Sequence, residues 1–325
     1  MQMLNQDWQG ILEQLRACDD FLIIGHVSPD GDTVGSSLAL CLGLKQMGKK
    51  VLFGLHGVLP EKLAFMPAAF PITASEQIER RAYGAVIAVD CGDLSRLGDL
   101  GEVFSQNENT IVIDHHPTNT GFGKKNLVMP YGATGQIILE LLEALDCCIT
   151  AEMANLLYAA ISTDTGNFSY SNTDEAVLLA AAKLRKLGAD IPLLNKTIYR
   201  EKTLGATRLI GRAIERLELS RDGKIAITYV LRSDYQQLGA KREDCDEVVN
   251  YARDIIGVEI AIFLRQTDAE DEKFRASLRS NRYADVSALA QEFGGGGHKQ
   301  AAGCSLTGGI EAAKQQILCA ARKYL

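Results

Sequence analysis

The chain has 325 residues, of which 46% are hydrophobic and 23% charged, with a formal charge of −7. This length exceeds one average domain and predicts two, with ample chain for a buried core. The acidic balance excludes a long, sequence-independent grip on duplex nucleic acid, which needs an extended basic surface, but it leaves short or small anionic substrates open because metal ions offset an acidic field locally.

No amino-terminal stretch has the basic, apolar, small-residue order of a signal peptide, and no apolar run spans a bilayer, so a cytoplasmic protein without a membrane partner is expected. Asn5 to Cys18 reads as an amphipathic helix with Trp8, Ile11, Leu12 and Leu15 at helical spacing. The strand FLIIG follows, then a helix from Thr33 to about Met47 and the strand KVLFGL, a first βαβ unit that implies a parallel sheet. Between strand and helix, HVSPDGD presents His26, Asp30 and Asp32. One imidazole and two carboxylates make an oxygen-rich site suited to Mn²⁺ or Mg²⁺. In an extended segment Asp30 and Asp32 would share a face, with Gly31 allowing a tight turn, whereas an Asp-rich turn capping the next helix explains the same residues equally well.

A third apolar strand, Ala85 to Val89, ends at Asp90, and a fourth, Thr110 to Ile113, ends at Asp114 followed by His115 and His116. Three strands thus deliver metal-competent side chains just beyond their carboxyl ends, where open α/β sheets bind ligands. His56 reads as a loop residue. Helices are expected at Thr134 to Leu145, Ala151 to about Ser162 and 174–188, with Asp164 pointed from a helix terminus into the site. Cys18, Cys41, Cys91, Cys147, Cys148, Cys245, Cys304 and Cys319 form no CxxC pair and read as buried reduced thiols.

The first domain is expected to span residues 1–190, a linker 191–205 and the second domain 206–325. The latter reads as a helix from about Ala206 to Leu217, a strand from Lys224 to Leu231, a helix near Asp244 to Ile256, and the alternating strands VEIAIFLRQT and KFRASLRSN around an acidic loop, DAEDE. Arg265, Arg275, Arg279 and Arg282 lie on or near this hairpin, with Arg275, Ser277 and Arg279 on one face. Near the end comes FGGGGHKQAAG. Four successive glycines suit a backbone that approaches a ligand closely and offers amides as an anion nest, with His298 and Lys299 adding donors.

GHVSPDGDTVGSS, AVDCGD, VIDHH and ISTDTG resemble the four successive motifs of the DHH phosphoesterases, and FGGGGHKQAAG resembles the glycine-rich motif of the DHH-associated carboxy-terminal domain. The resemblance covers both domains in order. It implies an α/β fold in which a parallel-sheet catalytic domain and a smaller α/β domain enclose the active site in a cleft. It implies that His26, Asp30 and Asp90 hold one Mn²⁺ and that Asp32, Asp90, His115 and Asp164 hold a second, with Mg²⁺ or another divalent ion as a substitute. His116 would then face the substrate phosphate, Asp114 would support the paired histidines, and Gly296, Gly297, His298, Arg265 and Arg279 would bind substrate. Within the family, the length is most similar to nanoRNases that also act on 3′-phosphoadenosine 5′-phosphate. The expected function is therefore degradation of very short RNA to mononucleotides and dephosphorylation of that nucleotide to AMP. The alternative is a phosphodiesterase of cyclic or linear dinucleotides (c-di-AMP, pApA, pGpG). An inorganic pyrophosphatase fits the glycine-rich motif less well, and an inert nucleotide binder fits the full ligand set less well. The oligomeric state stays open, a homo-oligomer included.

Overall fold

In β1 (Asp20–Ile24) Phe21 and Ile23 belong to one apolar cluster and Leu22 and Ile24 to another, and all four are fully buried. A strand covered on both faces needs a continuous apolar run rather than a polar alternation, which is what FLII supplies. The computed structural model describes residues 4–66, 70–245, 247–267 and 273–325. It divides into two units, residues 1–200 and 201–325. The acidic loop expected at 268–272 lies outside the described residues.

In the first unit α1 (Leu4–Ala17) precedes β1, which is followed by α2 (Gly31–Gln46), β2 (Lys50–Leu55), β3 (Ile72–Ala74) and β4 (Ala85–Val89). Then come α3 (Gly101–Gln106), β5 (Thr110–Asp114), β6 (Lys125–Val128), α4 (Thr134–Ala144), α5 (Ala151–Asp164), α6 (Glu175–Lys186) and α7 (Ile191–Asn195). The six strands are parallel in the order β3-β2-β1-β4-β5-β6. The chain winds outward one way from β1 and the other way from β4, so the order reverses between these two strands. A crevice opens at the carboxyl ends of such a pair. The short strands β3 and β6 were not legible in the sequence; KNLV is half polar and sits at the sheet edge. The expected linker also differs: 191–200 is helical, Leu194 joins the first unit's core and the Tyr199 hydroxyl is 2.8 Å from Ser162 Oγ.

Helix α2 is buried without a break from Gly31 through Cys41, and again at Gly43 and Leu44, because α5 and α4 both pack against it. A Cβ on Gly35 would stand 2.4 Å from the Leu156 carbonyl oxygen, and that obstacle is backbone. Gly35→Ala should therefore destabilise the protein by about 1–3 kcal/mol and lower the melting midpoint. Gly211→Ala, on α8 (Leu204–Glu215), meets nothing within 4 Å and should be neutral or slightly stabilising. Equal midpoints for the two variants would show that α2 and α5 tolerate separation.

The second unit continues from α8 with β7 (Glu218–Leu219), β8 (Ile225–Val230), α9 (Arg232–Leu238), α10 (Val248–Arg253), β9 (Ile260–Gln266) and β10 (Lys273–Ser280). It ends with α11 (Val286–Gln291), β11 (Gly296–His298), β12 (Ala301–Thr307) and α12 (Ile310–Ala321). Its sheet has the order β11-β12-β10-β9-β8-β7, with β8 and β9 parallel and the other pairs antiparallel. The expected hairpin is β9 with β10. The helix expected at 244–256 is shorter, and α9 and β12 were not anticipated. AAGCSLT has weak strand propensity and becomes a strand by pairing with β10, a case of context overriding propensity.

All eight cysteines are thiols rather than disulfides, but Cys148 and Cys319 are exposed and Cys18 and Cys147 half-buried, a correction to the expectation of buried thiols throughout. No described helix is long and apolar enough to cross a membrane.

Candidate active site

Asp30 is the N-cap of α2: its Oδ1 accepts from the Thr33 N–H at 3.0 Å. Asp32 lies in the first turn of the helix. The two carboxylates are thus a cap and a helical residue, not alternate positions of an extended segment. Gly31 has no positive φ; it is needed because a Cβ there would meet Thr163 Oγ1 at 2.4 Å. Capping and site formation are the same placement, because Asp30 retains Oδ2, which lies 3.8 Å from His26 Nε2.

Asp32 is fully buried and reaches the start of α4, whose N-cap is Ala133 and supplies no side-chain acceptor. Its Oδ2 accepts from Thr134 N at 2.7 Å and its Oδ1 from Gly135 N at 2.9 Å and Ser36 Oγ at 2.8 Å. A carboxylate from α2 thereby satisfies the orphan amides of another helix. At the end of β4, Asp90 adopts a left-handed φ of 60° while its amide bonds the Ile113 carbonyl at 2.9 Å. Such a conformation is costly for a residue with a side chain and marks a constrained position. Thr33 Oγ1 donates to Asp90 Oδ2 at 2.7 Å and Thr134 Oγ1 to Oδ1 at 2.9 Å.

The histidines repeat one arrangement. His26 Nδ1 lies 2.8 Å from the Val27 carbonyl and His115 Nδ1 lies 3.0 Å from the Tyr131 carbonyl. Each carbonyl can only accept, which places the ring hydrogen on Nδ1 and turns Nε2 toward acids. His26 Nε2 is 3.8 Å from Asp90 Oδ2, and His115 Nε2 is 3.4 Å from Asp164 Oδ2, 3.7 Å from Asp90 Oδ1 and 4.0 Å from Asp32 Oδ2. These separations exceed good hydrogen bonds and suit atoms converging on a shared cation. His115 Nε2 is buried without a hydrogen-bond partner. His116 differs: its Nδ1 is 2.7 Å from Asp114 Oδ1, and Asp114 Oδ2 accepts from Asn119 Nδ2 at 2.6 Å.

Among the described residues, His26, Asp30 and Asp90 form one group that could hold a metal ion, and Asp32, His115 and Asp164 form another. Asp90, His115 and His116 make a third, overlapping group. The electrostatics agree with this reading. Burial, then the charges of Asp90, Asp164 and Asp30, push Asp32 well above the usual carboxylate range. Burial and neighbouring carboxylates also raise Asp90, and push Asp164 up to about 6. Bonding to Asp114 pushes His116 up to about 9. Four carboxylates crowded together are mutually repulsive, and a divalent cation relieves that repulsion without a proton.

Sequence reasoning missed Thr33, Thr134 and Asn119. Thr33 and Asn119 adjoin the motif residues, but their partners, Asp90 and the Cys91 carbonyl, are set by the fold. His56 follows β2, 3.2 Å from Asp99 Oδ2.

In the second unit, cross-strand register aligns Arg265, Arg275 and Ser305 in one row, Ser277, Gly303 and Gly296 in the next, and Arg279, Ala301 and His298 in a third. Opposed residues share a face, so Arg265, Arg279, Gly296 and His298 lie together on one face, with Ser277 and Gly303 between the rows of basic residues and buried Phe263 opposite Ser277 on β9. Gly297 belongs to the alternate position and pairs with buried Ala302. The glycine run is a correction. Gly294 has φ 68°, a Cβ on Gly295 would meet the Gly303 carbonyl at 2.2 Å, and one on Gly297, at φ 145°, the Ala301 carbonyl at 2.5 Å. Backbone conformation or close packing explains three of the four glycines; Gly296 has open space, with nothing within 4 Å of its Cβ position.

A carboxylate and imidazole centre at the switch point of a parallel α/β sheet, in a chain that also carries a mixed sheet with a basic, glycine-lined face, defines a metal-dependent hydrolase of phosphate esters. The family described as DHH family, N-terminal domain matches residues 20–161, and the DHHA1 domain matches residues 222–325. The chain belongs to the DHH family. It is 34% identical over 321 residues to the bifunctional oligoribonuclease and PAP phosphatase NrnA of Thermus thermophilus, covering 97% of this chain and 93% of that protein. The Bacillus subtilis protein of the same name is 26% identical over 91% of this chain and 92% of its own length. The solved structure of an exopolyphosphatase-related protein from Bacteroides fragilis matches with a TM-score of 0.92 and 25% identity, covering 98% of this chain and 96% of that one.

Proposed function

We propose that this protein is a Mn²⁺-dependent phosphoesterase that releases mononucleotides from very short RNA and converts 3′-phosphoadenosine 5′-phosphate to AMP. The observation that carries this reading is the convergence of His26, Asp30 and Asp90 in one group and Asp32, His115 and Asp164 in another at the carboxyl ends of β1, β4 and β5. The likeness to the Thermus thermophilus protein, which extends over nearly the whole of both chains, supports the two substrates.

His26, Asp30 and Asp90 would hold one divalent ion and Asp32, Asp90, His115 and Asp164 the other, with Asp90 serving both. When bound, a pair of such ions supplies a water of lowered pKa and neutralises charge on phosphoryl oxygens. The chain's own residues do the rest. Val27 and Tyr131 carbonyls fix the ring orientation of His26 and His115. Thr33 and Thr134 hold both oxygens of Asp90, and Asp114 keeps His116 protonated at neutral pH so that it donates to a phosphoryl oxygen as charge develops. Arg265, Arg279, Gly296, Gly297 and His298 would bind the remainder of the nucleotide through charge-assisted bonds and backbone contact.

Product analysis tests this reading. The purified protein with Mn²⁺ is incubated in parallel with a labelled RNA trimer, 3′-phosphoadenosine 5′-phosphate and cyclic di-AMP. Stepwise mononucleotide release together with AMP formation is expected. Preferential opening of the cyclic dinucleotide would replace the proposal with a signalling phosphodiesterase, and no turnover of any substrate would overturn the phosphoesterase assignment.

A further inference from the structure

Arg96 lies in the 3₁₀ segment Leu94–Leu100 that follows β4, and its exposed side chain places Nη2 3.0 Å from His26 Nδ1. That ring nitrogen also lies 2.8 Å from the Val27 carbonyl oxygen. One nitrogen cannot serve both. The carbonyl only accepts, so a hydrogen on Nδ1 satisfies it and leaves the guanidinium N–H facing another donor. His115 makes the same Nδ1-to-carbonyl contact with no arginine bonded to its ring, which marks the carbonyl as the histidine's proper partner. In that tautomer the Arg96 guanidinium rests against His26 Nδ1 without donating to it.

Nothing else in the described residues claims that side chain: no carboxylate pairs with it, and His26 is its sole side-chain contact within hydrogen-bond distance. Its backbone is nonetheless fixed. The Arg96 carbonyl accepts from Val27 N at 2.8 Å, its amide donates to the Asp93 carbonyl at 3.2 Å, and the Asp93 side chain caps the segment through Ser95 N at 2.9 Å. The ring of His56 fills the space beside Gly98, where φ is 56° and a Cβ would approach that ring to 2.6 Å. A backbone held this firmly, carrying a planar five-donor cation beside a ring of carboxylates yet bonded to none of them, suits a ligand that brings its own oxygens.

We propose that Arg96 clamps the phosphoryl group undergoing hydrolysis, giving two parallel N–H···O bonds to its non-bridging oxygens at the His26 end of the centre. This rests on the phosphoesterase reading above. It makes Arg96 a substrate-binding residue, distinct from the arginines of the second unit. A positioning role for His26 is the competing explanation, and it predicts a different loss.

The test measures equilibrium binding to wild-type, Arg96→Gln and Arg96→Lys proteins, using calorimetry with three probes. These are Mn²⁺ alone, AMP in the presence of Mn²⁺, and a non-hydrolysable 3′-methylenephosphonate analogue of 3′-phosphoadenosine 5′-phosphate in the presence of Mn²⁺. In Arg96→Gln the analogue should bind about tenfold more weakly, with Mn²⁺ and AMP affinities unchanged. Arg96→Lys should recover part of the loss, since it restores the charge without the fork. Weakened Mn²⁺ binding with an unaltered analogue-to-AMP ratio would overturn the proposal in favour of a positioning role, and unchanged analogue binding would overturn it outright. Equal losses for AMP and the analogue would place Arg96 on a different phosphate and overturn it as well. Failure of the wild-type protein to bind the analogue would instead count against the phosphoesterase reading.

Discussion

Asp90→Asn is expected to lower turnover of 3′-phosphoadenosine 5′-phosphate by on the order of 10³-fold or more, and at the same time to raise the melting temperature of the metal-free protein. Both effects come from one carboxylate. Asp90 Oδ2 lies 3.8 Å from His26 Nε2 and Oδ1 lies 3.7 Å from His115 Nε2, so its two oxygens face a histidine on either side, as the proposed shared ligand must. An amide keeps the two threonine contacts partly satisfied but carries no charge to share. In the absence of metal, however, Asp90 adds to the repulsion that, after burial, raises Asp32 and Asp164. Removing that charge relieves the folded state alone, and each kcal/mol so gained is worth about 2–4 °C.

The pH dependence follows from the same groups. Asp164 is held up to about 6, above the ordinary carboxylate value of the unfolded chain. Between about pH 4 and pH 6 the folded, metal-free protein thus retains a proton that the unfolded chain has released, so this contribution to stability is present at low pH and is lost as pH rises through 6. Metal binding competes with that proton. The Mn²⁺-induced rise in melting temperature should therefore be larger at pH 7 than at pH 5, and absent in Asp90→Asn. Differential scanning fluorimetry with and without Mn²⁺ at the two pH values reads this directly. A variant that kept both the Mn²⁺ response and near-normal turnover would remove Asp90 from the centre.

The second large effect is expected at His116. His116→Ala should reduce turnover about 10²–10⁴-fold while leaving Mn²⁺ affinity within a few-fold of wild type, because its Nδ1 is committed to Asp114 at 2.7 Å. Asp114 in turn is fully buried. Burial alone would raise it, but its bonds to His116 and Asn119 outweigh that and hold it below the usual carboxylate range, so it remains an anion beside the ring. That anion is the main reason the imidazole is pushed up to about 9. Asp114→Asn removes it. The imidazole should then lose its proton at lower pH, and the alkaline limb of kcat/KM should move toward neutrality while Mn²⁺ affinity is retained. Coincident pH profiles for wild type and Asp114→Asn would show that His116 does not act in its protonated form. Loss of Mn²⁺ from His116→Ala would make it a ligand instead.

The central strands of the first unit, and the polar residues that end them, are written in the order of amino acids. That information is local: a strand buried on both faces must be continuously apolar, so the first carboxylate or imidazole after FLIIG, AVIAV or TIVI marks its end. The resemblance of five motifs in order then reached the family. Asp164 was legible for the same reason, as the polar end of an apolar helix. The hairpin of β9 and β10 was legible from alternation, and its register later brought Arg265 and Arg279 onto a shared face.

How these residues are held became visible only in three dimensions. Asp32 caps α4 across 102 residues of sequence, and Thr134 supports Asp90 across 44. No local pattern encodes such pairs, because each depends on where two elements meet. The glycine run reads in sequence as one ligand-binding loop, yet three of its members answer to backbone close by in space or to positive φ, and only Gly296 stays open. Ala301 to Thr307 lacks the branched residues of an autonomous strand and pairs because β10 offers it a partner. Apolar runs and polar ends are set residue by residue; caps, close approaches and edge strands arise from contacts between distant segments, whose free energy appears only once the chain has brought them together.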